Sequence, residues 1–228
     1  MSSDVLVIIP TYDRPSLCRR AIGSLVAQDF EMWDAVILKN KGTHRLQEYV
    51  GELGDFLDHP RISMCVVPGS GLAYALNQAC RHFLTGHEYF ASLEDDDEWD
   101  PGFLRVMANE LDCNSNVADV VHCLQRQEPG PRQSDGGKMD KDEIRRHNWI
   151  NWPMCMWKAK VWRGIGGFCE DVGPAVDWDT HLRALARGFN YRFLNKTLVT
   201  HHWHGGNYCL EVEGKGAIMK RMERGIYK

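Results

Sequence analysis

Four consecutive carboxylates, Glu94-Asp95-Asp96-Asp97, follow the apolar stretch Glu88-Tyr-Phe-Ala-Ser-Leu93 and precede Trp99-Asp100-Pro101. An aromatic-rich apolar run that ends in clustered acids reads as a buried strand delivering carboxylates to a sheet edge. Carboxylates crowded together raise one another's pKa unless a cation neutralises them. Hard divalent cations such as Mg²⁺ or Mn²⁺ suit an all-oxygen set and commonly bridge to phosphates. The competing reading is a solvated acidic turn. The strand before the run, and a helix start after it, favour the first. A second acidic pair, Asp177 and Asp179 around Trp178, opens a helical segment. Three histidines, His201, His202 and His204, cluster after a strand-like stretch. Imidazole suits Mn²⁺ better than Mg²⁺.

These groups need elements to position them. Val5-Leu-Val-Ile-Ile9 is a continuous apolar run, the pattern of a strand covered on both faces. Pro10-Thr-Tyr-Asp-Arg14 then makes a loop, and Pro15 suits a first helical turn. Leu17, Ala21, Ile22, Leu25 and Val26 recur at helical spacing, which predicts a helix to about Gln28. Ala35–Leu38 and Ile62–Val67 read as further strands, and Leu72–Leu84 as a helix before the strand ending at Leu93. Pro101–Asp112 reads as a helix and Val117–Cys123 as a strand. Helix Asp177–Arg187 with Gly188 as its stop, then strand-like Tyr191–Leu194 and Leu198–Thr200, complete the order. Strands alternating with helices predict an α/β fold with a mainly parallel central sheet flanked by helices. In such sheets ligands bind beyond the carboxyl ends of the strands. Both the Thr11–Arg14 loop and the acidic run sit at such ends, so they are expected to meet.

Composition narrows the class. The chain has 228 residues, 43% hydrophobic and 25% charged, within the range of an ordinary soluble globular protein. Net charge is −4 and no basic stretch dominates, so phosphate-driven binding to long nucleic acid is not indicated. The eight cysteines are scattered without a CxxC pair, which argues against a disulfide framework and for a cytoplasmic setting. No apolar run approaches the roughly 20 residues that span a bilayer. Residues 125–142 turn polar and rich in Gly and Pro, the composition of a functional lid or a disordered connector. The segment from Glu211, with Lys215, Lys220, Arg221 and Arg224, reads as a solvated closing helix.

Four motifs in order resemble the family 2 glycosyltransferases with the GT-A fold, over roughly residues 4–207. They are Pro10-Thr-Tyr-Asp-Arg14 after the first strand, Gly69-Ser-Gly71 with Ala75-Leu-Asn77, and Leu93-Glu-Asp-Asp-Asp-Glu-Trp-Asp-Pro101. The fourth is Gly166-Gly-Phe168 followed by Val176-Asp-Trp-Asp179 and Leu182-Arg183. The resemblance implies one GT-A domain over 1–228. Residues 1–100 would bind the nucleotide-sugar, 101–210 the acceptor, and 211–228 form a C-terminal helix. It implies that Thr11, Tyr12, Asp13, Arg14, Asn40, Gly71, Asn77, Glu94 and Asp95 face the nucleotide-sugar. Asp96 would hold a divalent Mn²⁺ or Mg²⁺, with His204 as a further contact and His201 or His202 as alternatives. Trp152, Trp157 and Trp178 would flank the acceptor. Asp177 would act as general base in an inverting transfer from a nucleotide-diphospho-sugar, UDP-sugar favoured, to a hydroxyl.

Departures from the family pattern temper this. Lys39-Asn40 stands where an acid usually contacts the base, Leu76 where an arginine is common, Glu94 in place of the first aspartate, and Val176 in place of an acid. They motivate a competing reading as a nucleotide-sugar-binding protein with altered catalysis. A metal-dependent nucleotidyltransferase or phosphohydrolase is the other alternative. Without the extra domains of polymer-making relatives, a single addition is expected rather than processive synthesis.

Overall fold

The computed structural model describes residues 5–69, 71–130, 137–204 and 211–227, with 211–214 by backbone only. In chain order, β1 (Val5–Thr11), α1 (Pro15–Val26), β2 (Trp33–Lys39), α2 (Leu46–Leu53), β3 (Ile62–Val66), α3 (Leu72–Phe83) and β4 (Tyr89–Ser92) come first. They are followed by β5 (Asp97–Trp99), α4 (Phe103–Cys113), β6 (Val120–Glu128), β7 (Cys155–Lys158), α5 (Ala159–Ile165), α6 (Val176–Ala186), β8 (Tyr191–His202) and α7 (Glu211–Glu223).

All eight strands belong to one sheet in the order β3-β2-β1-β4-β7-β6-β8-β5. The first four strands are parallel, as α/β crossovers demand. Every residue of β1 is buried, which its unbroken apolar run anticipates. The α1 face that covers this half buries Cys18, Ala21, Ile22 and Leu25, one stripe at helical spacing. Past β4 the sheet turns mixed. β7 runs antiparallel to both β4 and β6, and β5 runs antiparallel to β8, while β6 and β8 are parallel. The β4·β7 seam is sealed by Phe90 stacked on Trp157, with ring centroids 6.1 Å apart.

Several sequence expectations change here. Asp97 starts β5, pairing with His201, so the acids end neither in a solvated turn nor at a helix start. Gln125–Glu128 continue β6 rather than opening a loop, because β8 runs alongside and satisfies their backbone groups. The centre of the expected lid, 131–136, lies outside the described residues. β8 is one strand where two were expected. α2, α5 and β7 were not foreseen, each being too short to show its period. Gly188 does stop α6, at φ +80°. The end of the chain is not a solvated appendage. Ile218 and Tyr227 are buried, and the Tyr227 hydroxyl donates to Asp179 at 2.7 Å.

Candidate active site

The acidic run leaves the end of β4 and turns into the interior. Asp95, Asp96 and Asp97 are 0%, 6% and 2% exposed, which decides against a solvated turn. Burial pushes the Glu94 carboxyl well above the usual range, and repulsion from Asp96, Asp95 and Asp97 adds to it. Burial likewise lifts Asp95 to about 7, although Arg14 and Thr11 partly offset the effect. Arg14 is the strong base that meets them. Its guanidinium lies 2.7 Å from Asp95 Oδ1 and 2.7 Å from Asp96 Oδ2. One Glu94 carboxylate oxygen is buried without a hydrogen-bond partner.

A hydroxyl relay holds the loop after β1 to this cluster. Thr11 Oγ1 donates to Asp95 Oδ2 at 2.7 Å and lies 2.9 Å from the Tyr49 hydroxyl, which in turn accepts from the Arg14 N–H at 3.0 Å. Since Thr11 has one proton and gives it to Asp95, Tyr49 must donate to Thr11. Tyr49 sits on α2 and was absent from the sequence-based site. Its only signal was apolar spacing with Leu46, Val50 and Leu53. Lys39, buried at the end of β2, lies over the Tyr49 ring at 5.4 Å.

Asp13 clamps a neighbouring loop. At φ +52° it turns its carboxylate onto the β2–α2 loop, accepting from Thr43 N, Thr43 Oγ1 and His44 N at 2.6, 2.7 and 2.8 Å. Burial opposes ionisation, but those bonds hold its pKa at about 2. No Cβ would fit at Gly42, where the carboxylate passes. Asn40 stays available. It is buried, and its Oδ1 has no hydrogen-bond partner. Tyr12 is 54% exposed beside the same loop. Gly71 caps the start of α3 at φ +102°, a conformation that favours glycine.

Asn77 is a brace rather than a free donor-side amide. Its Nδ2 gives to the Phe168 carbonyl and to Glu170, both at 2.9 Å, while its Oδ1 accepts from Phe168 N at 2.8 Å and from Trp162 Nε1 at 3.3 Å. All four hydrogen-bonding positions of the amide are therefore used. The Gly166-Gly-Phe turn is thus tied to α3. Leu76 and Val176, two departures from the family pattern, are packed in the core at 1% exposure each.

The three histidines separate by partner. His201 Nδ1 lies 2.9 Å from Asp97, His202 Nε2 2.7 Å from Glu98, and His204 Nε2 3.0 Å from Asp96 Oδ2. Burial would lower the His201 pKa, but the bond to Asp97 and its charge raise it. Of the three, His204 is the one joined to Asp96. Among the described residues no three His, Cys, Asp or Glu side chains converge to hold a metal ion. Mg²⁺ and similar ions commonly use one or two carboxylates and take further ligands from phosphates and water. Asp96 and His204, which face one another, would give such an open site one oxygen and one imidazole, with the remaining ligands from phosphate and water.

Asp177 opens α6. Its Oδ1 accepts from Trp178 N at 2.7 Å and its Oδ2 from Asn148 Nδ2 at 2.9 Å. Burial raises its pKa to about 6, against the pull of those two bonds. Asp179, two residues on, is wholly buried and structural. It accepts from Arg183 Nε at 2.6 Å, lies 3.0 Å from Arg221 Nε, and Arg183 Nη1 reaches the carbonyls of Ile165 and Gly167. The three tryptophans expected on the acceptor side are packed as core or wall. Trp152, Trp157 and Trp178 are 4%, 0% and 7% exposed, too covered to stack on a ligand. Trp178 Nε1 instead donates to the Ile144 carbonyl. The exposed indole is Trp203, at 53%. With Leu17, Arg20, Pro129 and His204 it borders a cleft of about 440 Å³.

Known proteins resemble this chain in sequence and in fold. Residues 6–163 match the description of glycosyl transferase family 2. WcaA of Escherichia coli K12, described as a colanic acid biosynthesis glycosyl transferase, is 36% identical over 105 residues, 45% of this chain and 36% of its own length. The hyaluronan synthase of Pasteurella multocida is 24% identical over 225 residues, 92% of this chain and 21% of its own. The chain therefore spans only about a fifth to a third of these relatives. In fold it is similar to Staphylococcus aureus TarS 1–349 in complex with UDP-GlcNAc, at TM-score 0.72 and 17% identity over 90% of this chain and 60% of that one. It is equally similar to the Pyrobaculum calidifontis mannosyltransferase PcManGT in complex with GDP-Man and Mn²⁺. There the TM-score is 0.73 and the identity 18%, over 100% of this chain and 65% of that one. The fold is that of the GT-A glycosyltransferases, and the chain belongs to glycosyl transferase family 2.

Proposed function

We propose that this chain transfers a sugar from a nucleotide-diphospho-sugar to an acceptor hydroxyl, with metal dependence, inversion and Asp177 as general base. One observation carries the reading. The β4·β7 register sets Ala91 opposite Met156, so the chain just before β7 runs beside the end of β4. That chain carries Asn148, which holds Asp177, and β4 carries the acidic run. Both carboxylate centres are thereby tied to segments that flank the β4·β7 seam, which supports a shared site.

Each centre has its own task. Asp96 and His204 would hold a divalent cation, which would supply charge neutralisation for a departing diphosphate. Thr11 and Tyr49 keep Asp95 oriented, and Glu94 faces the cation or the ribose. Asn40 Oδ1, buried and unpartnered, suits the N3–H of a uracil, which is why a UDP-sugar is the first donor to try. Asp177 takes the proton from the acceptor hydroxyl. Its pKa of about 6 leaves it ionised at neutral pH yet more basic than an ordinary carboxylate. Attack opposite the diphosphate inverts the anomeric carbon. Trp203, not Trp152 or Trp178, offers the acceptor an exposed ring.

The test is a thermal-shift screen of UDP- and GDP-sugars with and without Mn²⁺, followed by turnover in wild type and Asp177→Ala. Binding to the folded state alone raises its stability. The proposal fails if no nucleotide-sugar shifts the protein, or if Asp177→Ala turns over donor as fast as wild type. Binding with turnover absent in both proteins would favour the altered-catalysis reading instead.

A further inference from the structure

We propose that the Arg14 side chain is a resident counter-ion that occupies Asp95 and Asp96 in place of the divalent cation and must leave them when the cation arrives. The inference rests on the metal-dependent reading above. Its geometric basis is the guanidinium bridge, at 2.7 Å to Asp95 Oδ1 and 2.7 Å to Asp96 Oδ2. Asp96 Oδ2 is also the oxygen facing His204 Nε2 at 3.0 Å. A cation bound between Asp96 and His204 would therefore sit against a guanidinium competing for the same oxygen. Like charges that close repel, and one of the two must give way.

The acids need a counter-ion in its absence. Asp95 is fully buried, and a buried carboxylate without a partner is costly. A planar guanidinium, with its fork of donors, can meet two carboxylates at once where lysine meets one. Arg14 nevertheless brings a single positive charge to a run of four carboxyl groups, Glu94–Asp97. A doubly charged ion would complete what the single charge of Arg14 begins.

Arg14 is also built to move at one end only. Its backbone is pinned, the N–H to the Tyr49 hydroxyl at 3.0 Å and the carbonyl to Cys18 N at 3.0 Å, with Pro15 fixing the helix entry. Its side chain is 24% exposed at the mouth of the cluster. With its backbone pinned and its side chain partly exposed, the guanidinium can leave the two acids while the loop that carries it stays in place.

The experiment measures Mn²⁺ binding to metal-free protein without nucleotide, from the paramagnetic resonance signal of the free ion. Wild type is compared with Arg14→Met. Removal of the competing charge is expected to tighten Mn²⁺ binding by about tenfold or more, equivalent to about 1.4 kcal/mol. Arg14→Lys keeps the charge but cannot bridge both acids, so it is expected between the two. It also serves as the probe should Arg14→Met fail to fold, judged by circular dichroism. Unchanged or weaker binding in the folded variants overturns the inference, because Arg14 would then be neutral to the cation or a support for it. If neither wild type nor variant binds Mn²⁺ even with UDP or GDP present, the metal-dependent reading itself fails. Equal binding in both leaves that reading standing and removes only the displacement.

Discussion

Asp177→Asn separates a catalytic cost from a stability gain. Burial moves the Asp177 carboxyl from 3.8 to about 6. A shift of about 2 units, at about 1.4 kcal/mol each, is a penalty of roughly 3 kcal/mol once the group is ionised. The sign follows from proton binding. The folded state holds this proton more tightly than the unfolded chain, so stability falls as pH rises from the unfolded value through the folded one. About 1.6 kcal/mol of the loss is in place by pH 5, which leaves about 1.4 kcal/mol between pH 5 and pH 8. Asparagine does not titrate. Its amide can accept from only one of the two donors, Trp178 N or Asn148 Nδ2, and whatever the loss of the other bond costs is the same at both pH values. The stability of Asp177→Asn relative to wild type is therefore expected to rise by about 1 to 1.5 kcal/mol from pH 5 to pH 8, measured by urea unfolding. Over the same range donor turnover, read as released nucleoside diphosphate, is expected to fall by about 10² to 10⁴-fold relative to wild type. A difference that stays flat with pH would show that this carboxyl is not shifted. Retained turnover would remove Asp177 as the base.

Other expectations concern the scaffold and the cation. Gly167→Ala combines φ +83° with a Cβ 2.9 Å from Asn77 Oδ1, so it is expected to cost about 1–3 kcal/mol in urea unfolding. A cost under about 0.5 kcal/mol would contradict the brace assigned to Asn77. Tyr227→Phe removes a donor from the buried Asp179 carboxylate and is expected to cost about 1.5–3 kcal/mol, which an unchanged unfolding midpoint would refute. His204→Ala is expected to weaken Mn²⁺ binding at least about tenfold, and His202→Ala to leave it nearly unchanged. The reverse order, measured by titration calorimetry, would move the metal assignment to His202.

The sequence by itself determined the N-terminal half of the sheet and the order of the functional motifs. β1 and β2 are continuous apolar runs and α1 carries a clear helical stripe, so local pattern and tertiary burial agree there. The acidic run and the acids around Trp178 were legible as candidates, because an apolar strand or a helix start beside each marks the end of an element. What side chains do there was a tertiary decision. Asp13, Asp177 and Asp179 are the same residue type, yet one clamps a loop, one rests half-buried at a helix start, and one is the wholly buried hub joining Arg183, Arg221 and Tyr227. Only the packing around a carboxylate sets its partners and its pKa. Tyr49 and Trp203 stayed hidden for the converse reason. The spacing of Tyr49 with Leu46, Val50 and Leu53 marks it only as a core residue, and a tryptophan among histidines has no pattern of its own. Tyr49 reaches Thr11 because α2 packs on α1, and Trp203 stays exposed because nothing among the described residues covers it. The three histidines make the same point most compactly. They are alike in sequence, and the pairing of β5 with β8, which sets His201 opposite Asp97, together with the chain that follows β8, brings each to a different acid.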